Sequence, residues 1–276
     1  MSTLIMGIVN VTPDSFSDGG RYLDADAAIA RGLLLRAQGA HILDVGGEST
    51  RPGAERVPVE VEQERVLPVV QALAAAGALV SVDTMNASTA VAAVEAGARI
   101  VNDVSGGIAD PDMLSAVAAT SADVVLGHWR GPSSDMYARA EYADVVAEVL
   151  GELTGRVEAA AGAGIPPARV VVDPGIGFGK IGEQNWATLR GIERIGGLGH
   201  RVLIGTSRKR FLAETLEQDD AIDVSEQRRD LATAVTSVLA AQSGAWAVRV
   251  HDVTATRDAL KIATSWKGEG RWTRSR

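Results

Sequence analysis

Leu79-Val80-Ser81-Val82-Asp83 opens the stretch LVSVDTMNASTAVAAVEAGARIVNDV, which runs to Val104 and decides the fold. Its first five residues form an apolar, valine-rich run that closes on a carboxylate, a composition suited to an extended chain. An alanine-rich segment with helical spacing follows, halted at Gly97, a residue that takes the left-handed turn at a helix end without strain. A second apolar run, Arg99 to Val104, carries Asn102 near its end. The unit reads strand, helix, strand, and each strand delivers a polar side chain where it stops.

The same unit recurs on both sides. Apolar, β-leaning runs lie at Leu4 to Val11, His41 to Gly46, Leu79 to Asp83, Arg99 to Val104, Asp123 to His128, Val170 to Asp173, Val202 to Gly205 and Ala247 to His251. Most are continuous, as in strands buried on both faces. Helical stretches such as Ala25 to Gln38, Glu60 to Ala75, Val145 to Ala161 and Asp230 to Gln242 separate them, with Asp24 expected to cap the first and Gly77 to end the second. This alternation predicts an α/β fold, a (β/α)8 TIM barrel in a single domain over 1–267, followed by a polar C-terminal tail at 268–276. An open doubly wound sheet is the competing architecture.

A closed barrel of parallel strands gathers all its C-terminal strand ends on one face. Seven polar clusters sit at such ends: Asn10, Glu48-Ser49-Thr50-Arg51, Asp83, Asn102, Asp173, Ser207-Arg208-Lys209 and Arg249-Val250-His251. They are therefore expected to build one composite site. The loops Thr12 to Arg21 and Glu48 to Val57, polar and bearing Gly and Pro, are expected to overhang it as lids.

Composition bounds the function. Of 276 residues, 46% are apolar, enough for a large core, and 35 acidic against 27 basic residues give a formal net charge of -8. That balance argues against a nucleic-acid surface, though local basic clusters suit a small anion. The absence of cysteine removes disulfides, thiolate nucleophiles and Cys-based metal sites. Neither a signal peptide nor a membrane-spanning apolar run is apparent, so a cytoplasmic protein is expected.

Asp83 and Asp173 each end an apolar strand, and a desolvated carboxylate needs donors, which a flat heterocycle with amino and ring N–H groups supplies. Asn102 adds an amide that donates and accepts. Capping of a βα turn is the plain alternative for any one of the three. Gly205 to Leu212 reads as a strand passing through an N-cap serine, Ser207, into a helix, a setting for a carboxylate or phosphate beside Lys209. A solvated helix face is the alternative for its Arg-Lys-Arg run. Arg249 and His251 alternate on the eighth strand, so both face the barrel axis and suit an anionic leaving group. Gly175 to Lys180 is a glycine-rich turn without the Walker ending, with Phe178 placed to lie against a ring. His41, His128 and His200 read as structural.

Met6-Gly7-Ile8-Val9-Asn10-Val11-Thr12-Pro13-Asp14-Ser15-Phe16-Ser17-Asp18-Gly19-Gly20 and Gly46-Gly47-Glu48-Ser49-Thr50-Arg51-Pro52-Gly53-Ala54 together strongly resemble bacterial dihydropteroate synthase. The resemblance continues through Ser81 to Thr84, Val101 to Gly106, Asp173 to Gly175, Ser207 to Lys209 and Arg249 to Asp252. It implies condensation of 6-hydroxymethyl-7,8-dihydropterin diphosphate with 4-aminobenzoate, giving 7,8-dihydropteroate and pyrophosphate, with Mg2+ and a homodimer. Position by position, it implies a pterin site of Asp83, Asn102, Asp173, Lys209 and Arg249, and a diphosphate site of Asn10, Arg51, Arg249 and His251. Asn10 would also ligate the metal. The aminobenzoate pocket would comprise Phe16, Thr50, Pro52, Phe178 and Ser207, and the catalytic set Asp83, Lys209, Arg249 and His251. One position departs: the family carries Met before the His that ends strand five, and here it is Gly127. A pterin-binding methyltransferase on the same barrel and a non-catalytic pterin-binding paralogue are the alternative functions.

Overall fold

The computed structural model describes residues 2–11, 21–51, 53–217 and 224–268. The expected capping by Asp24 fails for a local reason: the first helix already begins at Arg21, so Asp24 lies inside it. The helix expected over Asp230 to Gln242 likewise begins earlier, at Glu226. Gly77 and Gly97 have φ of 77° and 116°, the left-handed turns that release two helices into the next strand.

Eight parallel strands close into a barrel in sequence order. They are β1 Leu4–Asn10, β2 Ile42–Gly46, β3 Val80–Asp83, β4 Ile100–Asp103, β5 Asp123–Gly127, β6 Val170–Asp173, β7 Arg201–Ile204 and β8 Ala247–Val250. The ring is sealed where β1 pairs with β8, Leu4 opposite Ala247. The helices are α1 Arg21–Gln38, α2 Val59–Ala75, α3 Ala87–Glu95, α4 Met113–Ala118 and α5 Val145–Gly162. They continue with α6 Glu183–Arg190, α7 Ile192–Gly196, α8 Arg210–Glu217, α9 Glu226–Gln242 and α10 Val253–Trp266.

Strand side chains alternate between the barrel axis and the helices. The outward set, including Val9, Val45, Val82, Val101, Leu126 and Val248, joins the helices in the main core. Inward, Met6, Ile42, Ile100, Val125, Val171, Leu203 and Ala247 form a separate apolar floor. Two residues further along the same strands the inward positions turn polar: Asp44, Asn102, Asp173 and Arg249, with Asp83 at the end of β3. The floor is dry and the layer above it is charged, so the site is set by strand register.

The helix α9 is polarised against expectation. Its buried positions include Asp230, Thr233, Thr236 and Ser237, while Leu231, Val235 and Leu239, four residues apart, are 65%, 52% and 54% exposed.

Candidate active site

Arg249 reaches from β8 across the barrel, its Nε 2.6 Å from Asp44 Oδ2 and its NH2 2.6 Å from Asp83 Oδ2. Asp44 also accepts from Asn102 Nδ2 at 3.1 Å, which leaves Asn102 Oδ1 as the acceptor available to a ligand. Its other oxygen, Oδ1, is buried without a hydrogen-bond partner. Burial raises Asp83 to about 7, opposed by Arg249 and reinforced by Asp44. Arg249 itself, although burial works against its charge, is held above its ordinary value by Asp44 and Asp83. Asp44 was missed in the sequence, although an acid inside the run Ile42-Leu43-Asp44-Val45 is the signal that marks it.

Asp173 accepts the Gly175 N–H at 2.7 Å. Burial raises its pKa, and Lys209 lowers it most among the opposing groups. Burial in turn pulls Lys209 down to about 8 against the attraction of Asp173. The Lys209 ammonium donates to the Ile176 carbonyl and lies 4.5 Å from the centroid of the Phe178 ring. Phe178 is thereby brought to the site, half-buried.

The serine does not cap a helix. α8 begins at Arg210, and the Ser207 hydroxyl is engaged elsewhere: its oxygen accepts the His251 N–H at 3.1 Å and lies 2.8 Å from His251 Nδ1. With the hydroxyl hydrogen directed to Nδ1, the ring proton of neutral His251 sits on Nε2, where a ligand can accept it. Burial, then Arg208, Arg249, Arg51 and Arg31, push His251 down to about 3. It is therefore a neutral N–H donor rather than a second cation. The Arg-Lys-Arg run splits three ways. Arg208, the one non-glycine with positive φ among the described residues (57°), makes a two-pronged ion pair with Asp230 at 2.8 Å on each side. Lys209 is half-buried in the site, and Arg210 is exposed beside Glu214.

Asn10 ends β1 opposite Gly46. Arg51 is exposed, and Thr50 lies beside it at partial burial. Phe16 and Pro52 lie outside the described residues. The loop after β2 is tied at its base: Glu48 bonds Arg56 at 2.8 Å and the Val57 N–H at 3.3 Å, and Arg56 donates to Asn86 Oδ1 at 2.8 Å. Among the described residues no three His, Cys, Asp or Glu side chains cluster as a metal cage. A hard ion would therefore be held by an amide oxygen and by ligand oxygens.

Gly127 does not leave a hole where a methionine would pack. A Cβ there would stand 2.4 Å from the Val104 carbonyl oxygen, so the turn after β4 occupies the space.

The arrangement offers acceptors at Asp83 and Asn102, buried, and at Asp173, half-buried, cations at Lys209 and Arg249, and a neutral donor at His251, above an apolar floor. It suits a planar, donor-rich ring bearing an anionic group. A family model described as "Pterin binding enzyme" matches residues 6–251. The chain is 51% identical over 267 residues to the dihydropteroate synthase of Mycobacterium leprae, covering 96% of this chain and 94% of that protein. It is 40% identical to the Synechocystis dihydropteroate synthase, covering 96% and 91%. Among solved structures, Xanthomonas albilineans dihydropteroate synthase with 4-aminobenzoic acid superposes with a TM-score of 0.88 at 45% identity, covering 96% and 93%. The same enzyme with 7,8-dihydropteroate gives 0.85 at 43%, covering 96% and 94%.

Proposed function

Since the chain belongs to the pterin-binding enzyme family, among its dihydropteroate synthases, we propose a division of labour among its site residues for that family's reaction. The reaction condenses 6-hydroxymethyl-7,8-dihydropterin diphosphate with 4-aminobenzoate, giving 7,8-dihydropteroate and pyrophosphate. The observation that carries the residue assignment is the single layer above the apolar floor in which Asp83 and Asn102, buried, meet Asp173, Lys209 and Arg249, half-buried.

The pterin lies in that layer. Its amino and ring N–H groups donate to Asp83 and Asp173, Asn102 Oδ1 accepts another, and Lys209 donates to ring acceptors. To admit the ring, Arg249 leaves Asp83 and stacks across the ring face. The diphosphate meets Arg249, Arg51 and the Nε2–H of His251. Asn10 would hold Mg2+ through its amide oxygen, and the ion would supply charge neutralisation for the leaving diphosphate. Thr50, Ser207 and Phe178 line the aminobenzoate pocket with Phe16 and Pro52.

The methylene C–O bond breaks first, and its electron pair departs with pyrophosphate. The resulting cation is delocalised into the electron-rich ring and offset by Asp83. The aminobenzoate nitrogen then donates its lone pair to the methylene carbon, and the surplus proton leaves to solvent. Asp83, Lys209, Arg249 and His251 act by stabilising separated charge, so no protein nucleophile is needed. Intact half-sites for both substrates favour this over a methyltransferase or a silent paralogue.

The protein works as a homodimer in the cytoplasm. The exposed stripe Leu231, Val235 and Leu239 on α9, beside Ile262 and Trp266 on α10, supports a second copy as its cover. No helix among the described residues is long and apolar enough to cross a membrane.

The test is pyrophosphate release. It should require both substrates together. Release with the pterin diphosphate alone at the full rate would make the chain a hydrolase, and loss of release on omitting neither substrate would refute the assignment.

A further inference from the structure

Lys180 is among the largest fully buried side chains of the described residues, at 1% exposure, and it meets Phe178 only through the backbone carbonyl of that residue. Its ammonium has three protons and three acceptors: His128 Nδ1 at 2.9 Å, the Gly175 carbonyl at 3.1 Å and the Phe178 carbonyl at 3.1 Å. Because Nδ1 accepts, the His128 proton is on Nε2, which stands 3.0 Å from Glu152 Oε2 on α5, although without the alignment of a full hydrogen bond. Glu152 also takes Arg130 Nε at 3.0 Å. The Arg130 guanidinium lies 3.8 Å over the Tyr142 ring, and the Tyr142 hydroxyl donates to the Gly179 carbonyl at 2.8 Å. The chain of contacts starts and ends on the same glycine-rich loop between β6 and α6.

The other side of that loop faces the site. The Gly175 N–H holds Asp173, the Ile176 carbonyl takes Lys209, and Phe178 carries its ring beneath the same ammonium. Gly175, Gly177 and Gly179 all have positive φ, at 65°, 80° and 58°, so the loop has little conformational preference of its own and must be held from outside. A methionine would fill the space of Lys180 without desolvating a charge; burial already pulls the lysine down to about 7. What methionine lacks is the three donors. Without Lys180 the Phe178 carbonyl loses its bond and the Gly175 carbonyl keeps only the Phe178 N–H at 2.9 Å; an unpaired carbonyl is costly, so Lys180 favours the arrangement in which both are satisfied.

We propose that Lys180 is a positioning residue, clamped by His128, Glu152, Arg130 and Tyr142, that holds the β6–α6 loop in the one arrangement in which Asp173, Lys209 and Phe178 face the substrates. The inference rests on the assignment of those three residues to the pterin and aminobenzoate. Its consequence is kinetic. When the clamp is lost, the competent loop becomes a minor state, apparent affinity falls by the competent fraction, and saturating ligands restore it.

Lys180→Met should therefore raise KM for both substrates by about tenfold or more while kcat changes by less than about threefold. A purely structural lysine would instead lower Tm and leave KM unchanged. Hydrogen exchange of the free variant should quicken roughly 100-fold at the amides of residues 175–182 and stay unchanged in β5. Should Lys180→Met not fold, Tyr142→Phe releases only the Gly179 tether and should show the same KM-specific loss in milder form. Unchanged loop exchange would overturn the clamp, and faster exchange with unchanged KM would overturn its link to the site. Exchange needs no turnover, so a wild-type protein that releases no pyrophosphate would sink the activity assignment and not the clamp.

Discussion

Gly127 shows how one residue can be read from sequence and still be misjudged in space. The resemblance flags it as a missing methionine, but its backbone lies so close to Val104 that any side chain would collide with a carbonyl oxygen. Gly127→Ala should lower stability by about 1–3 kcal/mol, an overpacking cost, read as a lower urea midpoint. A midpoint equal to or above the parent's would show that the turn after β4 yields freely. His251 makes a second case. Its folded pKa of about 3 lies below the ordinary 6.5, so between these values the unfolded chain binds a proton that the folded protein refuses. Stability contributed by neutral His251 is thus complete above pH 6.5 and lost as pH falls toward 3, with a slope of at most about 1.4 kcal/mol per pH unit. His128, lowered to about 4 chiefly by burial, has the same sign, whereas Asp83, raised to about 7, has the opposite one. The comparison is accordingly made by difference. His251→Asn should flatten the acid limb of the stability profile by up to one proton relative to the parent, and parallel limbs would remove His251 from this account.

At the scale of elements, the barrel strands were legible because buried parallel strands are continuous apolar runs, and their polar ends stood out against them. Helix starts were less so. Asp24 fits a cap on local chemistry, but α1 extends to Arg21, and Ser207 fits a cap until His251 claims its hydroxyl. Such three-dimensional competition leaves no mark in the local sequence. The clamp around Lys180 was illegible for the same reason, since His128, Glu152 and Lys180 come from three separate elements. The loop after β2 bears on the order of binding. Its base is tied by Glu48 and Arg56, so closure is confined to the tip that carries Thr50 and Arg51. If the diphosphate meets Arg51 as proposed, it should draw that tip inward, and the aminobenzoate pocket should be complete only afterwards. Calorimetry with 4-aminobenzoate or a sulfonamide alone should give little heat, and addition of pyrophosphate with Mg2+ should produce binding. Tight binding to the bare protein would refute this sequence of events.

On the scale of the whole molecule, helical spacing finds α9, and the packing turns its apolar stripe outward. Leu239→Glu should therefore dissociate the proposed dimer, halving the mass measured by light scattering and leaving the monomer folded. A variant that retains the parent's mass would place the interface elsewhere. The inner face of the same helix reaches the site: Asp230 grips Arg208, Thr233 accepts the Arg208 N–H at 3.2 Å, and Thr236 meets Thr206 at 2.8 Å. One rigid rod thus joins the exposed stripe to the turn that carries Ser207 and Lys209. The face proposed for a second copy and the turn that serves the aminobenzoate side of the site are therefore two sides of one helix.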